Sequence, residues 1–133
     1  MADHWQLWLQ KRFGDRPALP RAQARATLWQ HLPTRAVEEC FAFFEEEYGI
    51  DPGLLRPTDP LTLFTEPVQT RNPLRWMAVE PRLEDRASEL NYRIVQQAAK
   101  HGKLDEWLPV DSLDDYFRVW AGMAPAHLKG SAR

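Results

Sequence analysis

Cysteine is almost missing from this chain of 133 residues. Cys40 stands alone, so no disulfide can form within the chain. Serine occurs only as Ser88, Ser112 and Ser131. No Gly-x-Ser-x-Gly elbow surrounds any of them, which leaves hydrolysis by a serine nucleophile without a local motif. The glycines are scattered and form no phosphate-cradling loop. The histidines (His4, His31, His101, His127) lie far apart, and none has a second histidine one helical turn away with which to grip a metal. No apolar run reaches the ~18 residues of a membrane span. The opening Met1-Ala2-Asp3-His4-Trp5 lacks the basic and apolar runs of a secretion signal. Long β-rich stretches and Asn-Gly or Asp-Gly hairpin turns are absent too. The expectation is a cytoplasmic protein of bacterial style, with no cofactor, no metal, no membrane association and no assigned catalytic residue.

Two things are plentiful: aromatic rings and locally unbalanced charge. Six Trp, six Phe and three Tyr supply large buried areas, so a few of them can hold a small domain together. The length fits one core and leaves no room for a second. Net charge is −2, yet residues 1–35 carry +4, residues 36–66 carry −7 and the remainder +1. This dipolar distribution is not a basic footprint, so nucleic acid is not the expected partner. Either the two halves neutralise each other across the fold, or the acidic one faces a partner of opposite charge.

The periodicity predicts an all-α fold, a compact bundle of about five helices. A first helix over 4–13 carries Trp5, Leu9 and Phe13 on one face and stops at Gly14. A second covers about 20–31, with Ala22, Ala26 and Trp29 at helical spacing. The clearest runs from Thr34 to Tyr48, where Val37, Phe41, Phe44 and Tyr48 recur on one face and Gly49 provides the stop. Residues 51–82, rich in proline, read as irregular, with two or three short helical turns at most. A long helix follows over 83–100, with Leu83, Ala87, Leu90, Ile94 and Ala98 in register and His101-Gly102 closing it. The last spans 113–120, with Ser112 as N-cap and Asp115 three residues on. Asp51-Pro52, Asp59-Pro60 and Asn72-Pro73 each place a capping side chain before a helix-opening proline. Residues 1–123 thus form the domain and 124–133 a flexible tail.

Cys40, among Val37, Phe41 and Phe44, reads as a buried and inert thiol. The carboxylates Glu80, Glu84, Asp85 and Glu89, and the group Asp111, Asp114 and Asp115, lack the ligand spacing of a metal motif and suit the first turns of helices. A hydrolytic site from Glu84, Glu89 and His101 would need a broken helix. Glu84 and His101 lie about 25 Å apart on a continuous one.

The run Pro33-Thr34-Arg35-Ala36-Val37-Glu38-Glu39-Cys40-Phe41-Ala42-Phe43-Phe44-Glu45-Glu46-Glu47-Tyr48-Gly49-Ile50-Asp51 resembles the second helix of acyl carrier proteins. There a serine opens the helix and carries the phosphopantetheine arm, and an acidic cluster followed by aromatic-Gly-Ile ends it. Thr34 stands in the serine's place. Pro109-Val110-Asp111-Ser112-Leu113-Asp114-Asp115-Tyr116 is faintly similar to the start of that family's last helix. The Asp-Ser-Leu attachment motif is absent, Leu32-Pro33-Thr34-Arg35 standing there instead, and a carrier domain is shorter. The resemblance therefore implies a carrier-like bundle that has lost its prosthetic group. Glu38, Glu39, Glu45 and Glu46 would correspond to the acidic face such proteins present to partner enzymes.

Six tryptophans are hard to bury in a chain this short. Trp5 and Trp8, with Leu7 and Leu9, make the first helix apolar nearly all round. Such a helix is buried between neighbours, either in its own core or at a homodimer contact.

These readings converge on a non-enzymatic protein-interaction module, an adaptor, immunity or accessory protein. It would use an acidic helix face (Glu38, Glu39, Glu45, Glu46, Glu47) to steer a protein partner and apolar contacts to hold it. A carrier-like protein or a small enzyme is the alternative. On this reading, replacing Glu45, Glu46 and Glu47 together by Lys abolishes partner binding while circular dichroism shows near-normal helical content.

Overall fold

A computed structural model describes residues 4–65 and 73–126, with side chains from Trp5 to Thr65 and from Pro81 to Ala126. Six helices appear among these residues, with no strand: α1 (His4–Phe13), α2 (Arg21–Thr27), α3 (Thr34–Tyr48), α4 (Pro73–Lys100), α5 (Leu104–Trp107) and α6 (Leu113–Trp120). Two 3-10 turns, Pro52–Leu54 and Leu61–Phe64, interrupt the connection that follows α3. The all-α expectation holds.

α3 is the central element because its apolar residues recur every three or four positions. Val37, Cys40, Phe41, Phe44 and Tyr48 are all fully buried. The helix ends where Gly49 turns left-handed, at φ +70°, a conformation that costs a side-chain-bearing residue about 1–2 kcal/mol. Around Phe44 the rings of Phe64, Phe43, Tyr48, Tyr116 and Phe117 gather with centroids 5.0 to 6.2 Å away. The last two rings belong to α6, so α6 docks along α3 and also along α4. α3 and α4 scarcely touch each other.

Local signals account for much of this. Ser112 Oγ accepts from the Asp115 N–H at 3.1 Å, capping α6. Asp51 Oδ1 accepts from the Gly53 N–H at 2.9 Å, capping the first 3-10 turn. Asp59, expected to cap at Pro60, does something else. It is 5% exposed, and its Oδ2 accepts from the Arg16 guanidinium at 2.7 Å and the Arg56 N–H at 3.0 Å. A buried carboxylate takes the cation within reach ahead of a solvated helix end.

Three expected boundaries move. α4 begins at Pro73, ten residues before the expected Leu83, and passes through Pro81. Pro73 sits at the first helical position, where its missing N–H is not needed, and Pro81 forgoes one bond, that to the Met77 carbonyl. α2 ends at Thr27 and not near His31, and Trp29 turns inward to stack on Phe117 at 4.0 Å. Ala126 donates its N–H to Asp115 Oδ1 at 2.8 Å, so the stretch after α6 is tied down at least that far. The remainder of the expected tail, 127–133, lies outside the described residues, as does the Asn72 cap.

Of the two expected placements for the aromatic first helix, the structure shows burial in its own core, and the other described tryptophans are buried with it. Trp5, Trp8, Trp29, Trp107 and Trp120 are all buried, and the Trp76 side chain lies outside the described set. Trp5 and Trp8 stack on one another at 4.9 Å. The Trp5 indole N–H donates to the Tyr48 carbonyl at 2.8 Å. Arg82 lies over Trp5 at 4.8 Å and Arg12 over Trp8 at 5.2 Å. Guanidinium groups cover rings without needing an apolar neighbour, which is how so small a core accommodates its aromatic surplus.

Truncating Phe44 to Ala removes the ring at which these elements meet. Urea denaturation followed by circular dichroism should show a loss of about 3–5 kcal/mol, against less than about 0.5 kcal/mol for Tyr92→Ala on the exposed face of α4.

Candidate functional site: a charged groove between α3 and α4

The acidic residues of α3 fall on three flanks. Glu38 and Glu45, two turns apart, face α2. Arg21 bridges both, at 3.0 and 2.8 Å, and Arg25 also pairs with Glu38. Glu47 faces the opposite way and pairs with Arg86 of α4 at 2.5 Å. Glu39 and Glu46 point into the space between α3 and α4. Partial burial works to raise the Glu38 carboxyl, and the hydrogen bonds from Arg25 and Arg21 outweigh it, holding this carboxyl below its ordinary value. Neutralisation across the fold thus accounts for Glu38, Glu45 and Glu47. It does not account for Glu46, which has no ion-pair partner among the described residues.

Between α3 and the C-terminal half of α4 lies an open groove of about 670 Å3. It exists because α6 separates the two helices and its last residue, Trp120, reaches the bottom. The floor is Ala36, Ala42 and Phe43 of α3 with Trp120 and Ala121. Glu39, Glu46 and Arg35 come from the α3 wall; Arg93, Gln97 and Lys100 come from the α4 wall, with His101 just beyond. The helices run in opposite directions, since Glu47 meets Arg86 while Phe43 lies under Arg93 at 5.7 Å.

Several of these groups are already engaged. Trp120 donates its indole N–H to Glu39 Oε1 at 3.1 Å, and Arg35 lies 3.7 Å from the other Glu39 oxygen. Arg93 is held by Glu89 at 3.0 Å. Glu46 and Lys100 are the charged groups of the groove with no ion-pair partner among the described residues. His101 rests against Gly122, where a Cβ would come within 2.8 Å of the imidazole and where φ is +81°. Glycine is required there on both counts.

The other candidates are dispersed. Trp5 and Trp8, at 2% and 4% exposure, are enclosed by their own chain and present no aromatic surface at α1 for a second copy. Burial, with a smaller contribution from Glu39, pushes the Cys40 thiol up, so it stays protonated and unreactive. Tyr48 and Tyr116 are likewise raised, chiefly by burial. They donate to the Phe64 and Leu90 carbonyls. Thr34 is exposed at the first position of α3. α4 runs unbroken from Glu84 to Lys100, which keeps Glu84 and His101 apart. No group of three or more His, Cys, Asp or Glu able to hold a metal occurs among the described residues. A second hollow of about 380 Å3, between α4 and residues 108–110, is lined by neutral residues alone, and so has no charge with which to select a ligand.

No family model, curated protein or solved structure matches this chain.

Sequence reasoning reached Glu39 and Glu46 as members of a five-residue acidic set. It missed Arg35, Lys100 and Trp120, whose convergence with them depends on how α6 is wedged in. Because Glu45 and Glu47 are ion-paired internally, the triple Lys replacement breaks two such contacts as well as altering the groove, and Glu46 alone is the cleaner probe.

Since folding lowers the Glu38 carboxyl, its contribution is complete above the ordinary value of 4.5 and fades as pH falls through the lowered one. Glu38→Gln should cost less than about 1 kcal/mol at neutral pH, and its difference from the native chain should shrink towards zero in acid. A difference of constant size across that range contradicts the assignment.

Proposed function

We propose that this chain is a non-catalytic protein-interaction module and that its partner docks in the groove between α3 and α4. The single observation that carries this reading is a carboxylate, Glu46, and an ammonium, Lys100, neither with an ion-pair partner among the described residues, on opposite walls of one concavity with an aromatic floor. Elsewhere on α3 the chain neutralises its own carboxylates with arginines. Charges left uncompensated around an apolar floor are what an interface uses to steer and orient a partner, while the rings of the floor supply contact area.

The site refines the acidic-face expectation. Glu38, Glu45 and Glu47 serve the fold, and Glu39 and Glu46 serve the groove. The groove, at about 670 Å3, is of a size that takes a short segment of a partner chain.

A tagged full-length chain recovered from its native organism provides the test, with co-purifying proteins quantified by mass spectrometry. Glu46→Lys, which reverses the unpaired charge, and Ala42→Trp, which fills the floor, should each lower recovery of a stoichiometric partner more than tenfold. Glu45→Gln, outside the groove, should leave it within twofold. Full recovery with the first two variants, or loss with the third alone, contradicts the placement.

A further inference from the structure

Resting on the groove being the docking site, we infer that its occupant is an extended peptide segment of a partner protein in which one acidic and one basic residue lie about four positions apart around an apolar residue. The antiparallel walls give the groove two ends of opposite sign. At one end, Glu46 of α3 lies near Arg93, whose charge Glu89 already offsets, so the end is net negative. At the other, Arg35 and Lys100 face the single carboxylate of Glu39, so that end is net positive, with His101 beside it. A ligand of one sign satisfies one end and is repelled at the other. A dipolar one satisfies both.

The walls set the length of the occupant, and their polar groups its backbone. From Arg35 to Glu46 the α3 wall spans about 16 Å at 1.5 Å per residue, which about five residues of extended chain cover. A helix keeps its backbone N–H and C=O groups paired within itself, whereas extended chain leaves them free to bond to the groove walls. Extended chain also turns alternate side chains to opposite faces. A central apolar side chain then meets Phe43 and Trp120 while its neighbours point away. On the α4 wall Gln97 stands between Arg93 and Lys100, and its amide, with no side-chain partner among the described residues, can both donate to and accept from a peptide backbone.

Selection from a displayed library of random heptapeptides on the immobilised full chain tests the inference. The native chain should enrich, at least tenfold over Ala42→Trp, peptides carrying one acidic and one basic residue four positions apart, give or take one. Glu46→Lys, an exposed change that leaves the core untouched, should enrich peptides with two acidic residues. Arg35→Glu with Lys100→Glu should enrich peptides with two basic ones. Peptides that are lost on Ala42→Trp but share no charge rule, or keep the same charges on every variant, overturn the inference and leave the groove standing. The same peptides on the native chain and on Ala42→Trp, or none enriched on either, overturn both.

Discussion

The position of α6 between α3 and α4 is the constraint on which the remaining architecture depends. Tyr116 and Phe117 enter the ring cluster around Phe44, and Trp29 closes over Phe117 from the other side. Tyr116 also donates to the Leu90 carbonyl of α4 at 2.7 Å, so one short helix is fastened to both long ones. Eight residues then fasten two long helices that make few direct contacts with each other. The space left between them is lined by whatever side chains the outer flanks of those helices carry, and here those are charged.

Charge is divided between two tasks in a way that follows from distance to the nearest arginine. On the α2 side and towards Arg86, acidic residues of α3 meet guanidinium groups within hydrogen-bonding range and contribute to holding elements together. Such pairs at partly exposed sites are individually weak, but they fix which face of α3 turns where. On the groove side Glu39 is bound by an indole N–H and Glu46 by nothing among the described residues. Its carboxylate is exposed.

How much could be read from residues alone depends on how far apart the deciding groups lie. The apolar face of α3, the glycine stop at Gly49 and the serine cap at Ser112 are decided within a few positions, and each appears in the structure as expected. α4 was legible from Leu83 onward, where its apolar register is clean. Its first ten residues read as irregular because Pro81 looks like a breaker, although Pro73 was legible as a helix opening; the helix runs through Pro81 at the loss of one backbone bond. The ring cluster was legible as composition but not as geometry, since nothing local says that Arg12 and Arg82 cover two indoles. The site was the least legible part. Glu45 and Glu46 are adjacent and chemically identical, and only the arrival of Arg21 from 24 positions away assigns one to the fold and leaves the other to the groove. Trp120 reaches Glu39 across 81 positions.

The most direct test of the account is site-specific photo-crosslinking in the native cell, with a benzophenone side chain placed in turn at Ala42 in the groove, at Glu45 on the flank facing α2, and at Tyr92 on the exposed face of α4. The account predicts one discrete adduct from position 42 and none from the other two. Adducts from position 45 or 92 with none from position 42 would contradict it.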